Sequence, residues 1–337
     1  VNSFVARALM RFSKPDTMFW VQDYHFLALG GQLRELGVEH PIGFFLHTPW
    51  APHSVMASVP HHRALIESML AYDLIGFQTE EDCGNFAGYL TLELGLPVKN
   101  GIVHSRFGLT RLAAFPIGIN VDGFAAQAMR AASHPDVSRL LKSLHGERLA
   151  IGVDRLDYSK GLLNRIRAFD RLFEIQPSLK RTVSLLQIAN PSRGAIEAYG
   201  NLQCELAQLV SDVNGRHGEV DWTPIRYLNK GFSQTTLAGF YRSAQVGVVT
   251  PLYDGMNLVA KEYVAAQNPV DPGVLVLSKF AGAANELTTA LIVNPHDIDS
   301  MARALGMAFA MPPPERRLRW EAMMTKLQAG NIQNWFE

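Results

Sequence analysis

The stretch TPLYDGMNLVAKEYVAAQ, residues 250–267, decides how the rest of the chain is read. It begins where the apolar run Val246-Gly247-Val248-Val249 ends, and that run reads as a buried strand. The loop that follows carries Asp254, Gly255, Met256 and Asn257, and a helix starts near Leu258. Asp254 and Asn257 suit a loop and a helix start, and Gly255 supplies freedom of φ. The first turn of that helix leaves backbone N–H groups free, and its dipole favours an anion. Glu262, in the same helix and close to the loop, offers a carboxylate to sugar hydroxyls. The stretch reads as a receptor for a phosphorylated, polyhydroxylated ligand. The plain alternative is an ordinary strand–helix unit whose loop caps a helix.

Outward from this point the pattern alternates. Apolar runs at 18–21, 42–46, 74–77 and 112–115 read as strands with helices between them, over 25–36, 62–71 and from Thr79 onward. Residues 127–147 read as a less apolar helical connection between lobes. A second series has strands at 149–153, 183–188, 225–228, 246–249, 274–277 and 291–294. Its helices fall at 162–173, 195–213, 232–243, from 258, from 282 and over 298–310. Three prolines, Pro312 to Pro314, stop the last of these before another helix at 315–329. Two such runs predict an α/β protein of two doubly wound, parallel-sheet domains. The expected bounds are 1–133, 134–319 and a closing helix, 320–337, that returns toward the first domain.

Composition excludes several classes. Hydrophobic residues make up 47% and charged residues 18%, a globular composition, and 31 basic residues balance 31 acidic ones. No global field favours nucleic acid or membrane, so an anion needs a local cluster. Cys83 and Cys204 lie far apart with no metal-ligand spacing, which argues against a disulfide framework or structural zinc and fits a reducing cytoplasm. No apolar run has transmembrane length. Serine-hydrolase elbows, Walker loops and dinucleotide GxGxxG fingerprints are missing from the strand–helix junctions.

In parallel α/β sheets ligands bind beyond the carboxyl ends of the strands, and the polar residues gather there. Asp23 and His25 follow the first strand, and His47 the second. Arg155, Lys160 and Arg193 follow strands of the second series. Arg155 and Lys160 fit a fork and a point charge on a diphosphate, or else a surface pair with Arg155 bonded to Asp157. Arg193 fits a second phosphate or a helix-entry salt bridge. His47 fits a sugar or reacting-centre oxygen, or a backbone-satisfied histidine. Asp23 fits a sugar hydroxyl or a cap for the helix at His25, and His25 reads as structural. His53, His61 and His62 read as an exposed turn rather than a metal site.

The ordered motifs WVQDYH, IGFFLHTPW, DLIGFQTEED, FPIGIN, DRLDYSKG, NPSRG, TPLYDGMNLVAKEYVAAQ and SKFAGAANEL resemble those of the trehalose-6-phosphate synthases. These are retaining glycosyltransferases of family 20 with the two-Rossmann-lobe GT-B architecture and an interdomain cleft. The resemblance covers nearly the whole chain. It implies transfer of glucose from UDP-glucose to glucose 6-phosphate, giving α,α-trehalose 6-phosphate and UDP, with no cofactor or metal, in the cytoplasm. It implies that Arg155 and Lys160 hold the diphosphate. Asp254 and the backbone of Gly255, Met256, Asn257 and Leu258 would hold donor glucose and phosphates, with Glu262 on the ribose and Ile188 and Phe232 flanking the uracil. His47 and Asp23 would contact sugars at the reacting centre, and Arg193 the acceptor phosphate. The small-molecule substrates are the expected partners, without nucleic acid or membrane, and a homo-oligomeric assembly stays open.

The chain departs from the family pattern in four places. The glycine-rich loop expected ahead of the first strand does not occur after Val1, Gln22 stands where the family often has His, TPWA stands where a second proline is usual, and the last helix is short at Glu337. The first of these sets the expectation of an N-terminal segment before Val1 and of weak or no synthase activity without it. Two other readings remain: the same fold with another phosphorylated acceptor, as in a glucosylglycerol-phosphate synthase, and a catalytically silent sugar-nucleotide-binding domain.

Overall fold

The structure, a computed structural model, describes residues 1–191 and 197–336. The chain forms two compact units, Val1–Pro116 and Ile117–Glu337.

The first unit runs through α1 (Asn2–Leu9), β1 (Phe19–Gln22), α2 (Leu29–Glu35), β2 (Ile42–Phe45), α3 (His53–Met56), α4 (His62–Met69), β3 (Leu74–Phe77), α5 (Glu80–Leu94), β4 (Ile102–Ser105) and β5 (Gly108–Ala114). Its sheet has the order β1-β2-β3-β5-β4, parallel except for β4 against β5. Strand residues Phe44, Ile75, Phe77 and Leu112 pack with Leu33, Ile66, Phe86 and Leu90 of the helices in one core. α5 begins as its sequence predicts. Thr79 Oγ1 accepts from the Asp82 amide at 3.1 Å, and three acids fill the first turn. Two elements differ from expectation. The helix expected over 25–36 is a 3₁₀ turn, Tyr24–Phe26, followed by the shorter α2. The β4–β5 hairpin carries no apolar run in β4, where only Val103 is buried, so periodicity does not reveal it.

The second unit contains α6 (Val121–Ala131), α7 (Pro135–Ser143), β6 (Arg148–Arg155), α8 (Leu162–Ile175), β7 (Val183–Asn190), α9 (Glu197–His217), β8 (Ile225–Leu228), α10 (Gln234–Ser243), β9 (Val246–Val249), α11 (Leu258–Ala266), β10 (Val274–Ser278), β11 (Leu291–Val293), α12 (Ile298–Ala310), α13 (Pro313–Ala329) and α14 (Ile332–Phe336). The all-parallel sheet has the order β11-β10-β9-β6-β7-β8. This is the doubly wound dinucleotide-fold order, with its reversal between β6 and β9. Alternate strand residues feed two cores. Leu149, Ile151, Leu186 and Ile188 meet Phe124, Tyr241 and Tyr263 on one face. Ala150, Leu185, Val246 and Val248 meet Phe169, Phe173, Leu206 and Leu305 on the other. Burial on both faces is why these strands read as continuous apolar runs.

The unit boundary lies at Pro116/Ile117 rather than at the expected 133/134. The reason is α6, whose Val121, Phe124 and Ala128 are buried in the second unit's core. The helix expected over 127–147 is two helices, because Pro135 opens α7 and His134 caps it. Likewise Pro313 opens α13 rather than only stopping α12, and Met323 and Leu327 of α13 are buried in the same core.

The turn between β6 and α8 depends on Gly161. Its φ is +64°, and a Cβ there would lie 2.3 Å from the carbonyl oxygen of Thr250. Gly161→Ala is therefore expected to lower stability by about 2 kcal/mol or more, through the left-handed backbone and the clash together. A urea unfolding midpoint that does not move would show that the turn is free to relax.

Candidate functional site

The loops that leave β6 and β9 are fastened to each other. The Leu252 amide donates to the Ser159 carbonyl at 2.7 Å. Lys160 Nζ lies 2.6 Å from Asp254 Oδ2, with side chains 12% and 19% exposed. The same carboxylate oxygen accepts from Asn257 Nδ2 at 2.9 Å. An ammonium has three donors, so this ion pair leaves Lys160 two for a ligand and holds it in place. Arg155 is exposed and has no hydrogen bond or ion pair among the described residues. Asp157, its alternative partner from sequence, instead accepts from the Ser159 amide and hydroxyl, both at 3.0 Å.

The loop after β9 is also strapped to the segment after β10. Asp254 donates its amide to the Phe280 carbonyl at 3.0 Å, and the Met256 carbonyl accepts from the Ala283 amide at 2.9 Å. The left-handed residue of this loop is Asn257, φ +70°, not Gly255 as the sequence suggests. Asparagine tolerates that conformation, and here its Oδ1 caps α11 by accepting from the Ala260 amide at 3.3 Å. The amides of Leu258 and Val259 have no partner among the described residues, and they sit at the positive end of the helix dipole. Glu262 follows on α11. Burial pushes its carboxyl up to about 7, against a hydrogen bond from Gln234, and no cation pairs with it among the described residues. Tyr241, whose hydroxyl is buried without a partner among the described residues, is raised by burial first and then by the charge of Glu262.

The remaining expected positions are varied. Phe232 is half-buried, with its ring edge-on to Phe240 and Lys230 Nζ 5.0 Å from its centroid. Ile188 is only 1% exposed, so its side chain belongs to the core and only its backbone edge is left for a ligand. Arg193 lies outside the described residues.

In the first unit, Asp23 follows β1 with φ +72°, and it does not cap the turn after it. Its Oδ1 is buried with no hydrogen-bond partner among the described residues. His47 follows β2. Its Nε2 is 2.8 Å from Gln22 Oε1, and its Nδ1 is 3.4 Å from Gln78 Nε2. His53 and His62 are not an idle exposed turn. His53 Nε2 meets Glu93 Oε1 at 2.8 Å and His62 bonds the Tyr89 hydroxyl, so both fasten α3 and α4 to α5. Among the described residues no three His, Cys, Asp or Glu side chains gather as a metal site, and no helix is long and apolar enough to cross a membrane.

Sequence reasoning missed three groups. Gln22 was noted only as a departure, yet it holds His47. Lys261 is fully buried and reaches Glu286 Oε1 at 2.7 Å and the Ile117 carbonyl at 2.8 Å. Arg165 is fully buried beneath the β6 and β9 loops. Its signal was available, because it occupies an apolar position of the α8 stripe Leu162, Arg165, Ile166, Phe169.

The pattern described as Glycosyltransferase family 20 matches residues 1–337. The chain belongs to that family. It is 45% identical to the trehalose-6-phosphate synthase of Sinorhizobium fredii (strain NBRC 101917 / NGR234) over 336 residues, 99% of this chain and 72% of that protein. Among solved structures, this family 20 chain is similar to a UDP-forming α,α-trehalose-phosphate synthase from Burkholderia xenovorans in complex with glucose-6-phosphate. The TM-score is 0.98 at 45% identity, covering 99% of this chain and 75% of that one. It is also similar to an E. coli structure bound with UDP-2-fluoro glucose, with a TM-score of 0.95 at 40% identity, covering 99% and 74%. The expected GT-B class of α/β fold, with a wholly parallel sheet in the second unit and a mainly parallel one in the first, is that of these structures.

The state of Glu262 has a measurable consequence. The folded state holds this proton up to about pH 7, whereas the ordinary value is 4.5, so the group's contribution to stability is present below pH 4.5 and lost as pH rises through 7. Glu262→Gln removes that loss. Relative to the unmutated chain, the variant should gain stability between these pH values and level off above them, by no more than about 3 kcal/mol. Denaturant titrations at pH 5 and pH 8 check this, and an equal difference at both would contradict it.

Proposed function

We propose that this chain transfers glucose from UDP-glucose to glucose 6-phosphate with retention, forming α,α-trehalose 6-phosphate and UDP. The observation that carries this reading is the joined pair of loops in a family 20 chain: Lys160 held by Asp254, Arg155 unpaired among the described residues, and the capped α11 N-terminus beside them.

In this reading the diphosphate meets Arg155, the two spare donors of Lys160 and the amides of Leu258 and Val259. Asp254 and the backbone of Gly255, Met256 and Asn257 hold the donor glucose. Glu262 accepts from the ribose hydroxyls, and Phe232 and the backbone at Ile188 border the uracil. The bond from the anomeric carbon to the β-phosphate oxygen breaks, and its electrons go to that oxygen. The anomeric hydroxyl of glucose 6-phosphate forms the new bond on the same face, and its proton passes to a phosphate oxygen. Charge growing on the departing UDP is the quantity the protein stabilises, through fixed cations and helix amides that need little reorganisation. These cations do the work without a metal or cofactor. Asp23 and His47 are assigned to sugar oxygens, and Arg193 to the acceptor phosphate. The free cysteines, Cys83 half-buried and Cys204 exposed, support a reducing compartment such as the cytoplasm.

Calorimetry with UDP and uridine tests the donor assignments. Arg155→Ala and Lys160→Ala should each weaken UDP by about tenfold or more, since each removes a charge-assisted contact. Glu262→Ala should weaken uridine as well as UDP. UDP released from UDP-glucose only when glucose 6-phosphate is present, with an α,α product by NMR, would establish the reaction. Unchanged UDP affinity in both cation variants would sink the assignment.

A further inference from the structure

Among the described residues Arg165 is the largest fully buried side chain, and its partners are distributed in an unusual way. Its Nη1 lies 2.6 Å from Asp154 Oδ2 and 3.0 Å from Gln187 Oε1. Its Nε donates to Thr250 Oγ1 at 3.1 Å, and its Nη2 reaches the Lys160 carbonyl at 3.5 Å. The four partners belong to the end of β6, to β7, to the first residue after β9 and to the loop before α8. Gly152 in β6 makes room for the group, because a Cβ there would lie 2.5 Å from Nη1 and 2.7 Å from Gln187 Oε1.

A guanidinium in the core is a costly way to hold a fold together. Well-packed apolar side chains in place of a buried ion pair are often neutral or better for stability, so its presence calls for another reason. The partners supply one. Asp154 precedes Arg155, Thr250 opens the loop that carries Asp254, and the bonded carbonyl is that of Lys160 itself. A single planar group with fixed donor directions spans both loops from below.

We propose that Arg165 is a positioning residue for the diphosphate, fixing the Lys160 backbone relative to the Thr250 end of β9 so that Lys160 meets the phosphates. This rests on the donor reading above. Arg165 touches no ligand, and its effect passes through Lys160.

The test is a double-mutant cycle read by calorimetry with UDP and with uridine, on the unmutated chain, Arg165→Met, Lys160→Ala and the double variant. Arg165→Met is expected to weaken UDP about tenfold while leaving uridine within about twofold, and to have little further effect once Lys160 is Ala. Equal weakening of UDP and uridine, or an effect that persists undiminished in the Lys160→Ala background, would overturn the inference and leave a packing role. Should a circular dichroism melt show Arg165→Met unfolded, Thr250→Val takes its place in the cycle. It removes one acceptor from the guanidinium and keeps the side-chain shape, and the same split between UDP and uridine decides. An unmutated chain that binds uridine and UDP equally would overturn the donor reading, with the inference falling alongside it.

Discussion

Strands β6 and β9 lie side by side for only two residue pairs, Ala150 with Val246 and Ile151 with Gly247. β6 then continues to Arg155 against β7, paired all the way to Asn190. This parting of neighbours is the constraint on which the rest of the second unit depends. A parallel ladder that ends early leaves backbone groups and space between two strands, and both must be filled. Here the filling is polar. Gln187 Nε2 donates to the Gly152 carbonyl at 3.2 Å, the Arg165 guanidinium occupies the space, and Lys160 and Asp254 close it above. The helices that follow β6 and β9 pack on opposite faces of the sheet, α8 on one and α11 on the other, so this is also where a loop and a helix N-terminus face outward together.

The charges at this point alternate in sign. Asp154 is paired with Arg165, and Asp254 with Lys160, which leaves Arg155 as a cation outside either pair. Asp154 itself is pushed up by burial, with the charge of Arg165 pulling against that. For the diphosphate proposed above, the consequence is pre-organisation. Lys160 is fixed by a carboxylate before any ligand arrives, and the entropy of ordering a long side chain has already been spent in folding. Arg155 supplies charge from the solvent side, where steering and salt dependence are strongest.

Much of this was legible from residues alone. The strands fell close to their apolar runs because both faces are covered, and the polar residues at strand ends followed from the parallel topology. What was not legible depended on pairing. No pattern states that Lys160 meets Asp254 across 94 positions or that Asp157 turns to Ser159 instead of Arg155. The choice of Asn257 over Gly255 for the left-handed turn rests on a cap that forms only when α11 is in place. The β4–β5 hairpin had no apolar alternation to announce it, and the unit boundary depended on which core received Phe124. Arg165 is the instructive case, since its place on an apolar stripe was visible and a charged residue there signals a buried partner.

The two expected residues of the first unit are held in opposite ways, and the contrast bears on what each can offer a ligand. In the arrangement around His47, a carbonyl oxygen of Gln22 faces Nε2 and the amide nitrogen of Gln78 faces Nδ1. His47 therefore has a close partner at Nε2, 2.8 Å away, and a more distant one at Nδ1, 3.4 Å away. Asp23 is the reverse. Its backbone is left-handed and its buried Oδ1 has no donor among the described residues, two costs that persist only where surrounding structure enforces them. Glu262 in the second unit is only partly alike, a poorly solvated carboxyl with a hydrogen bond from Gln234 and no cation beside it among the described residues. A ligand rich in hydroxyl donors satisfies such oxygens and a purely anionic one does not.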